Sequence, residues 1–164
     1  MALLTPDLYY RTIHAIDLEA LGREGVRVLL LDLDNTLLPR DTNVVPEELK
    51  AWAAGLRARG FRACLVSNNW HERVHHVASE LGFDLVDKAL KPFPFAFRRA
   101  LRIEGATTAE AAVIGDQLFT DILGGNMLGM RTVLVAPLSD TDLPHTLLLR
   151  RFEALVLKGR SPIG

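Results

Sequence analysis

The sequence predicts an α/β protein, a three-layer α/β/α sandwich around a central parallel sheet of about five strands. Three observations carry that expectation. Short apolar runs recur along the chain, and each stops abruptly at polar or acidic residues, as strands buried on both faces do. Between them lie stretches with helical start and stop signals, and strands alternating with helices imply right-handed crossovers with helices on both faces of a parallel sheet. The reactive side chains sit where the apolar runs end, which is the edge where open α/β sheets bind their ligands.

The elements follow in order. Residues 1–25 form a mixed lead-in, in which Asp17 can cap a short helix over Leu18, Ala20 and Leu21 that stops at Gly22. Residues 26–31 are apolar and β-branched at their start, which suits a first strand ending in Asp32. Pro46 opens a helix through Leu49, Trp52, Ala53 and Leu56 that Gly60 stops. Residues 61–66 make the second strand, followed by Ser67-Asn68-Asn69, and residues 71–81 read as a helix closed by Gly82. A short third strand spans 83–86, and Lys91-Pro92 leads into a helix from about 95 to 103. Residues 109–114 form the fourth strand, ending in Gly115-Asp116. Residues 121–128 look helical despite Gly124 and Gly125, and 132–135 make the fifth strand. Residues 147–157 read as an amphipathic helix packed on the sheet with its charged side in water. Trp52, Phe95 and Phe97 read as core or helix-face residues, and Cys64 as a buried, inert thiol.

Composition bounds the function. With 164 residues, 49% hydrophobic and 24% charged, the chain can bury the core of one domain spanning 1–164. A net charge of −1 supplies no global basic field, which argues against nucleic acid as a partner. One cysteine cannot form an internal disulfide. No apolar run approaches the roughly 20 residues that span a bilayer, and no signal pattern opens the chain, so the expected address is cytoplasmic.

The chemistry concentrates at strand ends. Asp32 and Asp34, two apart on an extended chain, can face one site. Ser67 and Asn68 end the second strand, Lys91 precedes a helix, and Asp116 ends the fourth strand with Asp121 shortly after. Adjacent carboxylates repel and ionise together only near a cation, and a hard divalent ion such as Mg²⁺ is the natural neutraliser. A carboxylate nucleophile, a hydroxyl, a lysine and Mg²⁺ are what phosphoryl transfer needs.

Asp32-Leu33-Asp34-Asn35-Thr36, Ser67-Asn68, Lys91-Pro92 and Gly115-Asp116 with Asp121 resemble, in order, the four motifs of the haloacid dehalogenase (HAD) superfamily. The resemblance covers about residues 26–135 and implies a Rossmann-like HAD fold and an aspartyl-phosphate mechanism. It implies Asp32 as nucleophile and Asp34 as acid and base, which marks the phosphatase branch. Ser67 and the Asn68 N–H would hold phosphoryl oxygens, and Lys91 would offset charge. Mg²⁺ would bind the Asp32 carboxylate, the Asp34 backbone carbonyl and Asp116, with Asp121 and Thr36 in support. The intervals where the family inserts caps are used up here by one helix and one strand each. The site is therefore expected to be open, as in the uncapped subfamily IIIA, which suits a large or surface-bound substrate or closure by another subunit of a homo-oligomer. Pro6-Asp7-Leu8-Tyr9 and Ile16-Asp17-Leu18 narrow the resemblance to the YqeG-like members, which include phosphatidylglycerophosphate phosphatases. Such a substrate would place the protein against the inner face of a membrane.

Other readings are open at this level. A receiver-like phospho-acceptor module also combines Asp, Mg²⁺, Ser/Thr and Lys, but it lacks an acid two residues beyond its acceptor. His71-Glu72-Arg73-Val74-His75, with His76 beside it, spells a zinc-hydrolase pattern but offers no third ligand at a recognisable spacing. Arg150, Arg151, Lys158 and Arg160 with the leucines of the tail could dock an anionic membrane.

Overall fold

The computed structural model describes residues 2–140 and 142–164. Six strands form one parallel sheet: β1 (Leu8–Tyr10), β2 (Val28–Leu31), β3 (Arg62–Val66), β4 (Asp84–Val86), β5 (Ala111–Gly115) and β6 (Arg131–Val135). Their order is β1-β6-β5-β2-β3-β4. From β2 the chain runs outward through β3 and β4, then returns to the other side of β2 through β5 and β6. The direction of winding therefore reverses between β2 and β5, and a crevice opens at the carboxyl ends of those two strands. Asp32 follows β2 and Asp116 follows β5.

The strands bury both faces because their side chains alternate. Leu29 and Leu31 of β2 point into one layer with Leu49 and Leu56 of α2 (Glu47–Ala58) and Val77 and Leu81 of α3 (Glu72–Leu81). Val28 and Leu30 point into the other, with Phe97 and Ala100 of α4 (Pro94–Glu104). The first helix, α1 (Leu18–Arg23), is capped as expected, with the Asp17 carboxylate accepting from the Ala20 N–H at 2.9 Å. Gly124 and Gly125 do not break α5 (Leu123–Met127), because close packing requires them. A Cβ at Gly124 would lie 2.4 Å from the Phe97 ring, and one at Gly125 would lie 2.7 Å from Thr132. Cys64 is fully buried, and burial pushes its thiol up to about 12, with Glu104 adding to the effect.

Three expectations need correction. The sheet has six strands rather than about five, because Leu8–Tyr10 joins its edge. Three residues carry too little pattern to read alone. Their place is fixed by distant partners, with the Asp7 carboxylate accepting from the Thr132 N–H at 2.8 Å and the Ile163 N–H donating to the Tyr9 carbonyl at 2.9 Å. The glycine-containing helix starts earlier than Asp121, through a π-helical turn at Leu118–Ile122. Phe95, half exposed on the face of α4 and stacked on Phe93, and Phe97 in the core both fall within the core-or-helix-face expectation. The C-terminal helix α6 (Pro144–Val156) packs with the opposite face from the one expected. Thr146 and Glu153 are buried, while Leu147, Leu148, Phe152 and Leu155 face outward.

Candidate active site

Four segments converge at the crevice. Beyond β2 the chain turns tightly, with the Asn35 N–H donating to the Leu38 carbonyl at 2.7 Å and Asn35 at a φ of 60°. Asp32 and Asp34 both line a cavity of about 460 Å³, together with Ser67, Asn68 and Lys91. The Lys91 loop is tied to the end of β3, where the Asn68 carbonyl oxygen Oδ1 accepts from the Lys91 N–H at 2.7 Å. The Lys91 side chain, almost wholly buried, then reaches Asp32 Oδ1 and Asp121 Oδ1, each at 2.7 Å. Thr36 Oγ1 lies 3.1 Å from both Asp32 Oδ2 and Asp116 Oδ1. Its single proton can serve only one of the two carboxylates at a time.

Gly115 permits this arrangement. A Cβ there would fall 2.2 Å from the Asp121 carboxyl carbon, so any larger residue would push Asp121 off Lys91. Asp121 is further held by the Gln117 N–H, which donates to its Oδ2 at 3.3 Å. Both of its oxygens are thus engaged, one of them by Lys91.

Two arginines that sequence reasoning did not place in the site belong to it. Arg73, on the first turn of α3, forms an ion pair with the Asp34 carboxylate. It also donates to the Thr42 carbonyl at 2.7 Å and the Pro39 carbonyl at 2.9 Å, so one guanidinium fixes both the acid and the loop after it. Arg150 of α6 ion-pairs with Asp116 and reaches Asp142 at 3.1 Å and Glu153 at 3.1 Å. Arg73 was hidden inside the zinc-like pattern, and Arg150 read as surface charge. Only the position of Arg73 soon after the Ser67 loop hinted at a role. Nothing in the sequence marked Arg150 as a partner of Asp116.

The electrostatics leave negative charge to be neutralised. Asp32, Asp116 and Asp121 each bring an oxygen within 4.8 Å of the others. Lys91 and Arg150 oppose these three acids, while Arg73 is spent on Asp34. Burial pushes the Asp116 carboxyl well above the usual carboxylate range, and Asp32 pushes it further against the pull of Arg150. Burial likewise raises Asp121 to about 6, against Lys91. For Lys91, burial works to lower its pKa, but Asp121 and Asp32 outweigh it and hold the ammonium above its ordinary value. A cluster of carboxylate oxygens with an uncompensated charge fits a hard divalent cation.

The histidines do not assemble a zinc site. His71 precedes α3, lines the cavity and stacks on Trp70, while His75 turns to Asp87 at 3.2 Å. The crevice is also less open than expected. Among the described residues, the interval from Thr36 to Ser67 holds only α2 and β3, and that from Asn68 to Lys91 only α3 and β4. Yet Leu143, His145, Thr146 and Leu149 from the start of α6 wall one side of the cavity.

Residues 89–141 match the HAD-hydrolase-like family model. The chain is 37% identical over 152 residues to the probable phosphatase YqeG of Bacillus subtilis, covering 93% of this chain and 88% of that protein. It is 28% identical to the chloroplastic/mitochondrial phosphatidylglycerophosphate phosphatase 1 of Arabidopsis thaliana over 93% of this chain and 47% of that longer protein. Among solved structures, the cobalt-bound deoxy-D-mannose-octulosonate 8-phosphate phosphatase of Haemophilus influenzae superposes with a TM-score of 0.53 at 15% identity. That match covers 82% of this chain and 89% of the other.

Proposed function

We propose a mechanism from one premise: the chain belongs to the HAD superfamily, in its YqeG-like branch, and is a phosphatase. It hydrolyses phosphomonoesters through an aspartyl-phosphate on Asp32, with residues 1–164 working as one hydrolase domain. The observation that carries this reading is Asp32 itself. Its carboxylate is held by Lys91 and Thr36 and lines the same cavity as Asp34, two residues on.

In the first step an Asp32 oxygen attacks phosphorus, and the P–O bond to the leaving group breaks as Asp34 gives that oxygen a proton. In the second, Asp34 takes a proton from water, the water oxygen attacks phosphorus, and Asp32 is released with inorganic phosphate. The Ser67 hydroxyl and the Asn68 N–H bind phosphoryl oxygens, and Lys91 offsets charge on nucleophile and phosphate. Asp121 holds Lys91, and Thr36 braces Asp32 against Asp116. Mg²⁺, held by the Asp32 carboxylate, the Asp34 backbone carbonyl and Asp116, would supply the remaining neutralisation of phosphoryl charge. Because Asp34 stands in the nucleophile's own cavity, the phosphoenzyme turns over rather than persisting as it does in a receiver.

Arg73 positions Asp34. Arg73→Ala is expected to lower kcat about tenfold or more while KM for a small phosphomonoester stays within about twofold, since the guanidinium orients the acid without touching the phosphate. Arg73→Lys keeps the charge but loses the fork and should recover only part of the rate. Steady-state kinetics on the folded variants decide it, and an equal rise in KM would make Arg73 a substrate-binding group instead.

For the substrate we propose a phosphomonoester on a phospholipid headgroup of the phosphatidylglycerophosphate type, met at the inner face of an anionic membrane. Similarity to the phosphatidylglycerophosphate phosphatase of Arabidopsis thaliana supports it, as does an uncapped crevice. Among the described residues no helix is long and apolar enough to cross a membrane. Phosphate release from phosphatidylglycerophosphate in mixed micelles, beside a soluble aryl phosphate, with Mg²⁺ and with EDTA, tests both parts. Mg²⁺-dependent turnover of the lipid far above the aryl ester is the expected result. Turnover of the aryl ester alone would keep the phosphatase and replace the lipid with a soluble phosphomonoester or phosphoprotein.

A further inference from the structure

Helix α6 is packed inside out. Its inward face is polar: Thr146, Arg150 and Glu153 lie against the protein. The Leu118 N–H donates to Glu153 Oε1 at 2.7 Å, and Arg150 bridges Asp116, Asp142 and Glu153. These bonds fix the rotation of the helix. Turning it to bury the leucines would strip partners from Asp116 and Glu153, two carboxylates with almost no solvent to replace them.

The outward face is what a water-soluble helix usually hides. Leu147, Leu148, Phe152 and Leu155 are 46, 58, 53 and 69% exposed. The charged residues beside them, Arg151 in the helix and Lys158 just beyond it, are exposed and basic. Glu153, the one acid of α6, is turned inward. An apolar stripe flanked by cations and free of carboxylates is complementary to an anionic lipid surface, where the leucines enter the acyl boundary and the cations meet headgroup phosphates. A second copy of the same face would set Arg151 and Lys158 near their own like charges, whereas headgroup phosphates pair with both.

We infer that the outward face of α6 docks the protein onto an anionic bilayer. The inference deepens the lipid-headgroup reading and rests on it only for purpose. The helix that would lie on the membrane also walls the catalytic cavity through His145, Thr146 and Leu149, so docking brings the crevice to the headgroups. Arg150, which reads from sequence as part of this basic surface, is excluded from it by its grip on Asp116.

The test is co-sedimentation with vesicles of phosphatidylcholine, with and without phosphatidylglycerol and free of any substrate. Wild-type protein is expected to bind the anionic vesicles and to leave the neutral ones largely unbound. Leu148→Asp with Leu155→Asp should abolish binding. Arg151→Gln with Lys158→Gln should weaken it about thirtyfold, the effect of removing two cations near such a surface. Aryl phosphate hydrolysis should be unchanged in both variants, because none of these residues lines the cavity, and unchanged turnover also certifies their folding. Wild-type indifference to anionic vesicles would overturn the proposal, as would full binding by the Asp variant. A solution dimer that Leu155→Asp dissolves would overturn it too, assigning the face to a second copy. Docking with no hydrolysis of phosphatidylglycerophosphate would sink the substrate reading while leaving the surface intact.

Discussion

Asp32→Asn is expected to reduce phosphomonoester turnover by at least about 10⁴-fold, the scale on which removing a covalent nucleophile acts. The amide is nearly isosteric, so it can still sit between Lys91 and Thr36, and the fold should survive. Phosphate can still enter, since Ser67, Asn68 and Lys91 remain. What disappears is the carboxylate's nucleophilicity, since the amide oxygen that remains is uncharged and attacks phosphorus poorly, together with a charge that balances Lys91. Steady-state release of phosphate from an aryl ester measures the loss, and retention of more than a few per cent of the rate would remove Asp32 from the reaction.

Asp34→Asn should cut turnover about 10²- to 10⁴-fold, the range of general acid–base catalysis, but in a distinguishable way. An ester with a good leaving group, such as an aryl phosphate, needs little protonation and should still phosphorylate Asp32. Hydrolysis of that intermediate needs a base for water, so phosphoenzyme should accumulate in a burst before slow steady-state release. Rapid-quench kinetics read the burst directly. A rate loss of similar size for alkyl and aryl esters, with no burst, would place Asp34 outside proton transfer.

The convergence of the candidate residues was legible in the sequence because they lie at strand ends. Asp32 follows β2, Ser67 follows β3 and Asp116 follows β5, and a parallel sheet brings such ends to one edge without further information. Residues whose roles depend on a rotation or a long-range partner were not legible. The amphipathic pattern of α6 locates an apolar stripe but not the direction it faces. The direction is set by the buried Asp116 carboxylate and the Leu118 N–H, both of which need partners that Arg150 and Glu153 supply. Arg73 likewise reads as one charge in a polar helix until α3 is placed over the loop that carries Asp34 and Pro39. The edge strand Leu8–Tyr10 is too short to carry a pattern and exists through its pairing with β6 and the returning tail at Ile163.

The central claim, a phosphoryl group carried by Asp32, is tested most directly by mass spectrometry of the Asp34→Asn protein, acid-quenched during aryl phosphate turnover and reduced with borohydride. The account predicts reduction of a single aspartate, Asp32, to homoserine, dependent on substrate. Label on any other residue, or no label while phosphate is still being released, would contradict it.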